Sequence, residues 1–192
     1  MSTREDILNR LRNSGMEPQP KPTLDFERLK FESPEEAFCR SAELSGASVV
    51  EWHEGLTPEQ LLVELDVEPC EILSALPDFN FGRNPDCVAD YHELGDRYTA
   101  ILEARFGVAE NGAVWLPQQM RHKAPLFAAE RLVILLDRTA IVATMQDAVE
   151  HPLFERDFIH GCFVAGPSKT ADIEQALVIG AHGAMGVTIV LK

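Results

Sequence analysis

Clustered cysteine is the first thing missing. Cys39, Cys70, Cys87 and Cys162 stand far apart and form no C-x-x-C, so neighbouring thiols build neither an iron–sulfur cluster nor a zinc site. Isolated thiols of this kind pack as small hydrophobes. The six histidines, His53, His92, His122, His151, His160 and His182, show neither H-x-x-x-H nor H-x-E spacing. No G-x-G-x-x-G opens a βαβ unit either. The chain is therefore expected to hold no metal and no redox cofactor of its own.

Long apolar runs are absent as well, and none approaches the roughly 18 residues of a membrane span. The start, MSTREDILNR, lacks the apolar stretch of a secretory signal, so the expected location is cytoplasmic. Basic charge is scarce: 17 Lys and Arg stand against 31 Asp and Glu, a net of −14. Residues 1–100 hold nine basic against 21 acidic side chains, a net of −12, and residues 101–192 hold eight against ten, a net of −2. Such a chain repels phosphate backbones, which excludes nucleic acid as a partner. The acidic first half is either a solvated surface or a docking face for a basic partner.

What is present is a series of helix starts and apolar segments, in a length of 192 residues that suits one domain. Ser2 and Glu5 have the spacing of a capping box, Ile7, Leu8 and Leu11 form a stripe, and Gly15 marks a helix end. The following PQPKP, residues 18–22, reads as an extended connector, so residues 1–22 form a helical arm with a Pro-rich linker and 23–192 a single domain. Ser33-Pro-Glu-Glu36 and Thr57-Pro-Glu-Gln60 each predict a capped helix, running to Gly46 and to about Val67. Strands are expected over 47–52, 98–102, 113–117, 132–137, 158–164 and 186–191, and the segment DFNFGRNPD after Pro77 reads as a surface loop. Runs as apolar as LVILL belong to strands covered on both faces, and residues 139–150 supply a crossover helix. The pattern predicts a three-layer α/β domain with a mostly parallel sheet flanked by helices.

Two segments carry candidate chemistry. In AGPSKTADIE, residues 165–174, Gly166 and Pro167 make a turn, Ser168 or Thr170 caps the next helix, Lys169 adds positive charge, and Asp172 and Glu174 occupy the first helical turn. The segment follows a strand, and ligands of open α/β sheets gather at the carboxyl ends of strands. It lacks the glycines of a phosphate loop, so it reads either as an anion site or as a turn with a helix cap. In the second segment Glu110, Asn111 and Gly112 form a tight turn before a strand. The turn is either a plain β-turn or a place where a carboxylate does acid, base or nucleophilic work.

Taken together, GVAENGAVWL, the LVILLD strand and AGPSKTADIEQALVIGAHGAMGVTIVL resemble the LUD domain, the family of lactate-utilisation protein C. That family has a stretch like A-E-T-G-T opening a strand, then G-P-S-[RK]-T-A-D-I-E and G-x-H-G-P before the last one. The likeness covers roughly 98–192, and the MSTREDILNRLR start is of the family's kind. Here Asn111 and Ala113 replace common hydroxyl residues, Ala184 replaces the proline, and Arg131 stands where a His often precedes the strand. The resemblance implies a fold similar to that of ribose-phosphate isomerase, CoA transferase and 5-formyltetrahydrofolate cyclo-ligase. It implies an accessory or assembly role in oxidising lactate to pyruvate beside iron–sulfur partner subunits. The alternative is an enzyme acting on an anionic small molecule, a carboxylate, phosphate or CoA ester, bound at the strand ends. In both readings Glu110, Asn111, Gly112, Gly166, Ser168, Lys169, Thr170, Asp172 and Glu174 are the candidate ligand site, with no catalytic residue assigned.

Overall fold

A computed structural model describes the chain except residues 1–2, 16–18, 21–26, 69–71, 81, 96, 155–159 and 173–175. Ser2, most of the PQPKP connector, Cys70 and Glu174 thus lie outside the described residues. The first helix, α1 (Thr3–Arg12), buries no residue, and its stripe residues Ile7 and Leu11 are exposed. Helix α2 (Pro34–Leu44) begins as its sequence requires: Ser33 Oγ accepts from the Glu36 amide, and Pro34 occupies the first turn. It leads into β1 (Ser48–Glu51). Helix α3 (Pro58–Glu64) carries the complete Thr57–Gln60 capping box.

Strands β2 (Ile72–Leu73) and β3 (Thr99–Glu103) come next, separated by short 3-10 turns where DFNFGRNPD was expected to loop. Then follow β4 (Phe106–Val108), β5 (Ala113–Pro117), the short helix α4 (Ala124–Phe127) and β6 (Arg131–Leu136). The remainder is β7 (Ile141–Val142), α5 (Met145–Glu150), β8 (Gly161–Val164), β9 (Lys169–Asp172), β10 (Ala176–Ile179) and β11 (Gly186–Leu191).

The central sheet has the order β1-β11-β6-β3-β2 with every pairing parallel. Alternate residues of β6 serve opposite faces, as a two-sided strand must. Val133 and Leu135 pack with Leu61, Leu62 and Ile101 under α3, whereas Leu132, Ile134 and Leu136 pack with Phe38 and Ala42 of α2. The second face is also covered by a mixed sheet, β7-β4-β5-β8, whose Val114 and Leu116 join the same cluster. Helices alone therefore do not flank the parallel sheet as expected: a sheet shares that work with α2.

The expected crossover helix over 139–150 is shorter than its pattern. Residues Arg138–Ala140 form a 3-10 turn, Ile141 and Val142 pair with Gly107 and Val108, and only Met145–Glu150 is helical. Thr144 supplies the reason, since its hydroxyl and the Asp147 carboxylate form a capping box that starts the helix there. The two β-branched residues upstream are taken up by the edge of β4 instead.

Candidate functional site

The Glu110-Asn111-Gly112 turn joins β4 to β5 and is held from several sides. Asn111 Oδ1 accepts from the Ala113 amide at 3.1 Å, and the Gly112 amide donates to the Val108 carbonyl at 2.9 Å. Gly112 has φ +67°, and a Cβ there would lie 2.3 Å from the backbone nitrogen of Ala42. The turn is therefore docked directly on the backbone of α2, which only glycine permits. Glu110 has defined work too: its Oε2 accepts from the Met145 amide at 2.9 Å, at the start of α5. A carboxylate at that place satisfies a free amide and opposes the helix dipole.

In AGPSKTADIE the turn is as expected and the helix is not. Gly166 has φ +69°, and a Cβ would come 2.2 Å from the Ser45 carbonyl oxygen. Beyond it, Lys169–Asp172 is strand β9, paired antiparallel with β10 so that Thr170 opposes Val178 and Asp172 opposes Ala176. Neither Ser168 nor Thr170 caps a helix, and Asp172 does not lie in a first helical turn. The Ser168 amide donates to the Ala184 carbonyl and its carbonyl accepts from the Gly180 amide, both at 2.9 Å. Those ladder-like bonds use the groups that a helix start would have left for an anion. Lys169 Nζ donates to the Ser45 carbonyl at 2.7 Å, so its charge stands at the carboxyl end of α2.

The two segments do come together, through α2. Ser45 Oγ donates to the Asn111 carbonyl at 3.4 Å while its own carbonyl receives Lys169 and abuts Gly166. The meeting point is the amino-terminal edge of the central sheet, beside the start of β11, and not its carboxyl edge as expected. Strand β8 belongs to the mixed sheet and runs back down beside β5. Its carboxyl end accordingly arrives where the parallel strands begin. A cavity of about 210 Å³ lies next to Ser168, lined by Phe127, Phe163, Val164, Ala184 and Val187 among others. Apart from the serine hydroxyl this is an apolar lining.

A polar cavity lies at the opposite edge of the central sheet. About 280 Å³ opens at the carboxyl end of β3, lined by Ala75, Leu76, Ile101, Glu103, Arg105, Gln118, Gln119 and Met120 among others. Glu103 pairs with Lys192, and the Gln119 side chain bonds both the amide and the carbonyl of Glu103. Gln118 donates from Nε2 to the Met120 and Arg121 carbonyls at 2.8 and 3.2 Å. Its Oε1 is buried with no partner among the described residues. None of these residues was a sequence candidate. The available signal was a charged residue ending an apolar strand, Glu103, and two glutamines directly after another, Gln118 and Gln119. Among the described residues no three His, Cys, Asp or Glu side chains converge as a metal site would need. Cys39 and Cys162 are thiols whose burial pushes their pKa up, the opposite of a reactive cysteine.

A mostly parallel central sheet, a second sheet packed on one of its faces and a β-hairpin before the last strand define the chain as an α/β domain. Within that class, the chain belongs to the LUD domain family, whose model matches residues 89–191. The matched stretch includes both segments singled out above. Over 122 residues the chain is 25% identical to lactate utilization protein C of Oceanobacillus iheyensis, a match covering 59% of this chain and 49% of that protein. The chain thus spans about half the length of that curated relative. A crystal structure of a DUF162 family protein from Deinococcus radiodurans superposes with a TM-score of 0.63 at 12% identity. That likeness covers 82% of this chain and 95% of the other, and it shows the fold.

Proposed function

We propose that this chain is a component of lactate utilisation that acts as an accessory or assembly subunit beside iron–sulfur partners. The observation that carries the reading is the 122-residue similarity to lactate utilization protein C, together with family membership over residues 89–191. Removing two electrons from lactate requires a flavin, a nicotinamide or a cluster to receive them. The sequence offers no clustered cysteines and no dinucleotide fingerprint, so on this reading the electron acceptor belongs to a partner. The net charge of −12 over residues 1–100 provides a face for a basic partner, and such an association weakens as salt rises. On the same reading the protein works in the cytoplasm, and its sheet is related to that of ribose-phosphate isomerase and CoA transferase.

Deleting the gene in its host tests the role. Growth on L-lactate should be lost, growth on glucose kept, and a plasmid copy should restore the first. Normal growth of the deletion strain on lactate would remove the reading. A tagged chain should also capture brown, iron-containing partners at low salt and release them at high salt.

A further inference from the structure

We propose that the β9–β10 hairpin is a self-association surface, on which β10 pairs with β10 of a second copy about a two-fold axis at Val178. This inference stands on the hairpin alone and not on the proposed role in lactate utilisation. Leu177, Val178 and Ile179 are 62%, 48% and 50% exposed. Successive residues of a strand point to opposite faces, so both faces of β10 are uncovered, whereas so apolar a strand ordinarily buries at least one. Its edge is open as well, since among the described strands β10 pairs with β9 alone. The strand reads ALVI and holds neither the charge nor the proline by which edge strands ward off pairing. Met185, which is also exposed, extends the patch: it lies over Gly180, where a Cβ would overlap its Cγ.

Charge and symmetry select the occupant. Two copies of a chain of net −14 repel one another, but residues 161–192 are balanced: Lys169 and Lys192 offset Asp172 and Glu174, so the whole acidic excess lies in residues 1–160. The hairpin is thus the segment through which like copies meet with least repulsion. An antiparallel pair with its axis at Val178 sets Val178 opposite Val178 on one face, and Leu177 opposite Ile179 twice on the other. Every exposed apolar side chain of the strand then gains an apolar cross-strand partner, and the open edge gains a hydrogen-bonded ladder. Pairing uses up the free edge of both β10 strands, so the assembly closes at two copies as a four-stranded β9-β10-β10-β9 sheet. With Met185 included, such a contact buries on the order of 1,000 Å² in total, the lower limit of a specific interface. The dimer is therefore a reversible one.

The test is sedimentation velocity of the full chain from roughly 1 μM to 1 mM, the span of weak association. A monomer–dimer equilibrium is expected, and added sodium chloride should tighten it by screening the repulsion between two acidic copies. Val178→Glu should weaken the dimer at least tenfold, because two carboxylates then face each other across the axis. Mixing that variant with Val178→Lys should restore association that neither shows alone. Val63→Glu, at an 81% exposed position on α3, adds the same charge elsewhere and should leave the dimer unchanged. In the unaltered chain, concentration-dependent amide shifts in NMR spectra should centre on residues 176–179 and on Met185, which decides the matter even if the Val178 variants fold poorly. Shifts centred elsewhere, a dimer that survives Val178→Glu, or one that loosens as salt rises would each overturn the proposal. A chain that stays monomeric throughout would overturn it too, and would leave the edge to a strand from another protein. Normal growth on lactate without the gene would not touch these results, so the two readings fail separately.

Discussion

Gly112 and Gly166 show what single residues contribute here. Each has a positive φ, and each lies so close to the α2 backbone that a methyl group would overlap it. Gly112→Ala combines backbone strain with a steric clash that no side-chain rotation relieves, and it should cost about 3 kcal/mol or more. In a chain of this length that is a fall of roughly 6–12 °C in melting temperature, read by calorimetry. Lys169 is the contrasting case. Its ammonium meets a helix-end carbonyl at an exposed position, so Lys169→Ala should cost no more than about 1 kcal/mol in a urea titration. A loss several times larger would mean that β9 needs this contact to dock. The cysteines separate in the same way: alkylation at neutral pH should reach exposed Cys87 well before half-buried Cys162, whose thiol pKa is raised by burial.

At the scale of elements, the starts of α2, α3 and α5 obey their capping residues, while the segment after Gly166 does not follow its helix-like signals. A cap is a local interaction, complete within four residues. The β9–β10 ladder is set instead by pairing with Ala176–Ile179, and Ser168 before it bonds Gly180 and Ala184, partners outside the four residues of a cap. Thr144→Ala tests the local kind. It removes the α5 cap and the hydroxyl that holds Asp147, and because Thr144 is buried the loss should reach about 2 kcal/mol. Helix α1 tests the opposite expectation. It buries nothing, and ten residues are too few to hold a helix in water, so a chain beginning at residue 23 should fold with an unchanged melting temperature. An insoluble product would show that Ile7 and Leu11 complete the core.

For the whole molecule, carboxylates held in their charged form by partners make stability fall on the acid side. Thr144 and Arg28 hold the Asp147 carboxyl below its ordinary value, and Arg28 does the same for Glu150. A group with a depressed folded pKa contributes stability above its unfolded value, near 4, and loses it as pH falls through the folded one. The melting temperature should therefore drop below about pH 4, and Arg28→Ala should lower it at pH 7 while matching the unaltered protein near pH 2. A difference that persists at pH 2 would show that Arg28 acts through packing and not through its charge.

The sequence by itself determined the parallel sheet, because apolar runs such as LVILL tolerate only two covered faces, and it determined the starts of α2 and α3, because a cap needs no distant partner. It also determined that Gly112 and Gly166 sit in turns and that their segments belong to one family. Only the tertiary structure decided which edge of the sheet those segments reach, since β8 reverses direction within a second sheet that no periodicity announces. It likewise decided that Lys169 and Glu110 serve helix ends, and that Glu103, Arg105 and Gln118 line one cavity. These residues come from separate strands and loops, and their convergence is a property of how the sheets pack, which spacing along a chain does not encode.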